Sequence, residues 1–178
     1  FVFVNSDVNW AGERKFNKVR DTIEKWQKKY DTEHKIHHVN GSFDSQMKQY
    51  NAGYEFIKTN KPDTDWLFVF DSDEVWDKYN IMKVSYILNN AVDANAISCS
   101  MRTYIKSPLY LIEPAEWCKP TVFIRPIFPD FPSVRGSAAK PNVLVPDLFF
   151  HHFTYVRENE ESVFSKIKTS FIGDKDCV

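Results

Sequence analysis

Three acids, Asp71, Asp73 and Glu74, fall within four positions directly after an unbroken apolar run from Trp66 to Phe70. Carboxylates set that close repel one another, and they ionise together only where a cation or a basic group compensates. Their oxygens are hard ligands suited to Mg²⁺ or Mn²⁺, ions that commonly bridge to substrate phosphates. The chemistry on offer is a divalent cation clamping a phosphate-bearing substrate. A solvated acidic turn, with Asp77 starting the next helix, is the plainer alternative. The strand in front favours the cation. A segment apolar at every position reads as buried on both faces, as central strands of parallel sheets are. In open α/β sheets, ligands bind beyond the carboxyl ends of such strands.

Positioning those acids requires a sheet, and the first half of the chain carries the pattern for one. Phe1 to Val4 reads as a strand ending at Asn5-Ser6-Asp7. Phe16, Val19, Ile23 and Trp26 recur at helical spacing, which predicts an amphipathic helix over 13–30. A short strand over 35–39 follows. Asp44 is then the expected N-cap of a helix through Met47, Tyr50, Tyr54 and Ile57. After the acidic tip, Ile81, Val84, Ile87 and Leu88 mark another helix, and "ANAISCSM" a strand. This alternation points to βαβ units: an α/β fold with a mostly parallel central sheet flanked by helices. From Thr103 to Pro146 prolines are frequent and strand-like pieces short ("TVFIRPIF", "NVLV"), so loops and a small mixed sheet are expected there. A closing strand over 148–155 and a terminal helix over 160–171 complete the reading. It is one domain over 1–178, with a regular half over 1–102 and an irregular half over 103–178.

The bulk properties agree with a single domain. At 178 residues and 43% hydrophobic, the chain is long enough for one real core and too short for two ordinary ones. A formal charge of −1 exerts no global pull on nucleic acid or anionic membrane. No run approaches the length of a membrane span, and no signal peptide is visible. Neither a nucleic-acid partner nor a span in this chain is therefore expected. Cys99, Cys118 and Cys177 are odd in number, widely spaced and without a CxxC pair. They read as thiols in a reducing, cytoplasmic compartment rather than as a zinc or disulfide framework.

"FVFDSDEVW" resembles the strand-plus-DxD element of glycosyltransferases with the GT-A fold, especially family 2-like members carrying D-x-D-E. "GSFDSQMKQYNAGYEFI" precedes it and resembles the family's helix that commonly reads (A/Q)-R-N-x-G. "FFHHFTYVRENEE" follows and resembles the family's late H-x-S/T-Y-V-R segment. Together these elements reach from residue 1 to about 168. The resemblance implies a metal-dependent transferase that moves a sugar from a nucleoside-diphosphate sugar, UDP-sugar favoured, to an acceptor hydroxyl, with inversion. Asp73 with Asp71 would hold Mn²⁺ or Mg²⁺ against the donor diphosphate, Asp71 doubling as a donor contact. His152, or His151 in second place, would complete the metal site; strand neighbours point to opposite faces, so one of the two is expected there.

The same resemblance places Asp7 at the nucleoside and Gln46, Gln49 and Asn51 at the donor. Arg135 and Lys140, in the small-residue loop "SVRGSAAKP", suit a lid closing over it. Glu116, beside Trp117, is the first choice for the base that an inverting transfer requires, with Asp130 the second. Arg157 and Lys166 are lesser phosphate contacts, and His34, His37 and His38 read as structural. The chain departs from the family pattern at four places. Tyr50 stands where the helix arginine is usual, no E-D pair supplies the base, and D-D-G-S is absent near Asp7. The family's first strand and helix, ordinarily ahead of "FVFVNSD", are also missing. Two other functions use the same residues. One is a Mg²⁺-dependent phosphoesterase or nucleotidyltransferase; the other is a non-catalytic carbohydrate-binding protein stacking sugars on Tyr104, Tyr110, Trp117, Phe128 and Phe131.

Overall fold

Short apolar runs form strands and periodic ones form helices across residues 1–8, 18–114, 119–131 and 139–173, which the computed structural model describes. They divide into two compact units. One holds the described residues of Phe1–Thr64 and Phe128–Val134, the other those of Asp65–Ile127 and Arg135–Val178.

In the first unit, β1 (Val2–Ser6) and β2 (His37–Gly41) pair in parallel from Val2↔His37 to Ser6↔Gly41. The helices are α1 (Lys18–Tyr30) and α2 (Gln46–Asn60). Of the stripe expected to face inward on α1, only Ile23 is buried among the described residues, while Val19 and Trp26 are 56% and 59% exposed. The N-cap of α2 is Ser45 rather than the expected Asp44. Ser45 is extended (φ −151°, ψ 156°), and its hydroxyl accepts the Lys48 N–H at 3.3 Å. Asp44, one residue too early to reach the orphan amides, pairs with Lys48 Nζ at 2.7 Å instead. Gly53 lets α2 lie close on β1, because a Cβ there would stand 2.6 Å from Val4 Cγ2. Tyr54, 2% exposed, donates its hydroxyl to the Phe128 carbonyl at 2.9 Å and accepts the Phe128 N–H at 3.1 Å.

The second unit is a five-stranded sheet in the order β3-β6-β5-β7-β4. Its strands are β3 (Leu67–Phe68), β4 (Glu74–Val75), β5 (Ala96–Ile105), β6 (Thr121–Ile124) and β7 (Asn142–Tyr155). Helices α3 (Lys78–Asn90) and α4 (Glu160–Gly173) accompany it. The architecture is α/β, as expected, but the sheet is mixed. Only β5 and β7 pair in parallel here; β3–β6, β5–β6 and β4–β7 are antiparallel.

The strand before the acids is also not central. β3 is a two-residue edge strand, with Phe68 and Phe70 37% and 43% exposed. Its apolar run is satisfied by rings rather than by burial on two faces. Phe68 stacks on Phe123 at 4.8 Å and meets Trp76 edge-on at 5.0 Å. The central positions go to β5 and β7, which are long enough (10 and 14 residues) to build the main ladder. β7 absorbs both "NVLV" and the expected closing strand. The core lies on the face made by Ile97, Cys99, Met101, Phe123, Leu148 and Phe150, against which Trp76, Val84, Ile87 and Leu88 pack.

The close approach at Gly53 gives a sign-reversing test. Alanine in place of a helical glycine ordinarily stabilises by about 1 kcal/mol. Here the added methyl meets a stiff β-branched side chain, and overpacking of that kind costs about 1–3 kcal/mol. Gly53→Ala is expected to lower stability in urea unfolding, and adding Val4→Ala to restore part of the loss. A Gly53→Ala variant more stable than the parent would contradict the packing.

Candidate functional site

The acids and the histidines meet because β4 pairs with β7. Glu74 lies opposite His152 and Val75 opposite His151, and the Phe153 N–H donates to the Asp73 carbonyl at 2.8 Å. Between β3 and β4 the chain reverses in a tight turn. Glu74 N–H donates to the Asp71 carbonyl at 3.1 Å, and Asp71 N–H donates to Glu74 Oε2 at 3.2 Å. Glu74, 8% exposed, therefore braces the turn from inside. Asp73 is left facing His152, with Oδ1 3.9 Å from Nε2 and the two side chains 28% and 18% exposed. That separation exceeds a hydrogen bond. It is within reach of two ligands sharing one ion at about 2.1 Å each.

His151 points to the other face, as alternation along a strand requires. Its Nδ1 is 2.8 Å from the Tyr104 hydroxyl, and its Nε2 is 3.5 Å from Asp77 Oδ2. Asp77 N-caps α3. Its carboxylate accepts the Asn80 N–H at 2.8 Å and the Asn80 amide at 2.7 Å. Asn80, fully buried, accepts in turn the Phe149 N–H at 3.3 Å, fastening the start of α3 to β7. The Asn80 backbone N–H, against a cost of burial and helped by the Asn80 side chain and His151, holds the Asp77 carboxyl below its ordinary 3.8.

The expected donor contacts in the first unit already have partners within it. Gln49 Nε2 donates to the Val4 carbonyl at 2.7 Å, Gln46 Nε2 to the Tyr50 hydroxyl at 3.0 Å, and Asn51 Oδ1 accepts the Phe131 N–H at 2.7 Å. They hold α2 to β1 and to the segment over 128–131. Asp7 stands at the carboxyl end of β1, its N–H donating to the Gly41 carbonyl at 2.9 Å. Asn40 Nδ2 donates to Asp7 Oδ2 at 3.3 Å, and Asn5 Nδ2 to Asn40 Oδ1 at 3.0 Å. These three form a polar row across the ends of two parallel strands.

Asp130 and Lys140 are exposed, the latter giving its carbonyl to Asn95 Nδ2 at 2.6 Å. Glu116 and Arg135 lie outside the described residues. Arg157 Nε donates to the Thr154 carbonyl at 2.7 Å, closing the turn after β7. Among the described residues, no set of three or more His, Cys, Asp and Glu side chains is gathered for a metal ion. Asp73 and His152 thus stand as a pair. No helix of the described residues is long and apolar enough to cross a membrane. No protein-family model, curated protein or solved structure matches this chain.

Sequence reasoning did not find the Tyr104–His151–Asp77 chain or the bracing role of Glu74. The D-K-Y-N spacing of Asp77 and Asn80 carried a signal for the cap, but Tyr104 joins His151 only through the β5–β7 register.

Because the folded Asp77 carboxyl titrates below its unfolded value, its stabilising effect is complete above pH 3.8 and is lost as pH falls through the folded value. Asp77→Ala is expected to cost about 1 kcal/mol near neutral pH, the usual worth of an N-cap. The gap between variant and parent should shrink in thermal unfolding below pH 3.8. A gap that does not change with pH would remove the carboxylate from the cap.

Proposed function

We propose that this chain is a metal-dependent glycosyltransferase of the GT-A type, acting in the cytoplasm on a nucleoside-diphosphate sugar, with a UDP-sugar as the favoured donor and a saccharide or other hydroxyl as acceptor. The observation that carries the reading is the approach of Asp73 to His152, whose positions in the chain are far apart, at the end of paired strands. A carboxylate oxygen and an imidazole nitrogen at that spacing suit Mn²⁺ better than Mg²⁺, which prefers oxygen ligands; such ions are often held by few protein groups and completed by substrate phosphates. The resemblance of three separate segments to one transferase family supports the same reading.

In this scheme Asp73 and His152 would hold the cation, and Asp71 is added to them by the resemblance alone. The ion, when bound, neutralises charge on the departing nucleoside diphosphate. Glu74 keeps the acidic turn closed, so that Asp73 has no conformational freedom to lose on binding. The acceptor oxygen forms its bond to the anomeric carbon as the bond to the diphosphate breaks, and its proton passes to a carboxylate. Glu116 is assigned that role and Asp130 is the second choice, since the transfer inverts configuration.

Isothermal titration with UDP and Mn²⁺ tests the reading. Binding is expected to require the metal, to disappear with EDTA, and to weaken roughly tenfold or more in Asp73→Ala and in His152→Ala. Binding indifferent to EDTA and to Asp73→Ala would overturn it, as would no binding at all. Release of free phosphate or nucleotide without sugar transfer would point to a phosphoesterase instead.

A further inference from the structure

The face of the sheet opposite the core carries a second constellation, which the transfer chemistry leaves unused. Arg102 and Tyr104 are successive outward residues of β5, about 6.6 Å apart by strand geometry. Arg102 lies in direct register with His151 on β7. Its guanidinium stacks over the Phe149 ring with Cζ 3.6 Å from the centroid. Tyr104 stacks on Phe153 at 5.0 Å with the planes 30° apart, and the His151 ring is stacked nearly parallel to Phe153, at 6.3 Å and 11°. Leu111, 39% exposed and bridged to Tyr104, borders this row, where Ile105 N–H donates to the Tyr110 carbonyl at 3.0 Å. The result is a cationic aromatic surface, continuous over two adjacent strands.

Its charge is not used internally. Arg102 is exposed and makes no ion pair or hydrogen bond among the described residues. Asp77, the acid nearest His151, is already engaged in capping α3. Stacking against Phe149 fixes the guanidinium plane and leaves its in-plane N–H fork for a planar bidentate acceptor, the recognition mode for which arginine is suited. The neighbouring rings stack on one another and form an apolar wall beside the fork, against which the C–H groups of a pyranose pack.

We propose that this face binds a saccharide bearing a ring carboxylate, a hexuronate, with the carboxylate on Arg102 and the sugar ring against Tyr104 and Phe153. A phosphate ester would satisfy the guanidinium equally, but it gives no reason for the row of rings one strand repeat away. Both features together select an acidic sugar. Binding stands on this face alone, across the sheet from Asp73 and His152, and does not depend on the glycosyltransferase reading.

The test uses the full chain and a matched pair of probes, tetragalacturonate and its methyl ester, which differ in charge but not in ring structure. Tetragalacturonate is expected to bind about tenfold or more tightly than the ester, as loss of a charge-assisted fork implies. Arg102→Gln should erase that preference and Arg102→Lys should reduce it, because lysine keeps the charge without the fork. Both substitutions are at an exposed position and leave the core untouched. Saccharide binding should persist in EDTA, while UDP–Mn²⁺ binding should be unchanged in Arg102→Gln. Equal affinity for acid and ester overturns the proposal, and so does a preference that survives Arg102→Gln. Absence of binding to either saccharide, or tighter binding of an octauridylate than of tetragalacturonate, also overturns it. A protein that binds the acid through Arg102 but ignores UDP and Mn²⁺ would keep this inference and lose the transferase reading.

Discussion

The two-residue pairing of β4 with β7 is the constraint on which the candidate site depends. Glu74↔His152 and Val75↔His151, extended by the bond from Phe153 to the Asp73 carbonyl, tie the acidic turn to a strand more than seventy residues away. A strand that short has little stability of its own. It is held by what flanks it: Trp76 stacks on Phe150 at 5.4 Å, and Asp77 and Asn80 fasten the start of α3 to β7. Hydrophobic packing on one side and helix capping on the other thus keep a small, strongly acidic turn where its own charges would oppose it.

Alternation along β7 then separates two jobs. His152 shares the core-side face with Phe150 and meets Asp73; His151 shares the outer face with Phe149 and Phe153 and is fixed between Tyr104 and Asp77. A slip of one residue in this register would exchange the two faces at every position. The parallel ladder with β5, running from Ala96↔Asn142 to Ile105↔Tyr155, guards against it. The same ladder brings Arg102 opposite His151, so β7, paired on its two sides, positions both the Asp73–His152 approach and the aromatic face behind it.

Much of this was legible in the sequence, and the failures have physical causes. Helices α1 to α4 follow from apolar periodicity, and β5 and β6 from their β-branched and aromatic runs. The nearness of Asp73 to a late histidine was anticipated from resemblance, and alternation limited the choice to one of the pair. The place of "DWLFVF" was misread because an apolar segment has two ways to be satisfied. It can lie between two covered faces, or it can pack aromatic rings against one another at an edge, and Phe68, Phe70 and Phe123 do the second. Composition alone does not distinguish them. A mixed sheet was expected for the second half, but its strand order was not legible, since order is decided by ladder length and register rather than by the strength of any single run. Gln49 and Asn51 look like ligand-binding side chains in a motif, but they spend their hydrogen bonds on Val4 and Phe131. Contacts of that kind depend on the chain's path in space, and no local pattern encodes them.

The proposed holding of a divalent cation by Asp73 and His152 against a nucleoside diphosphate is tested most directly by anomalous diffraction at the manganese edge from crystals grown with Mn²⁺ and UDP. The expected result is a single strong peak in contact with both Asp73 Oδ1 and His152 Nε2, with diphosphate density beside it. Diphosphate density bound elsewhere, or beside the acidic turn with no manganese peak between these two side chains, would contradict it.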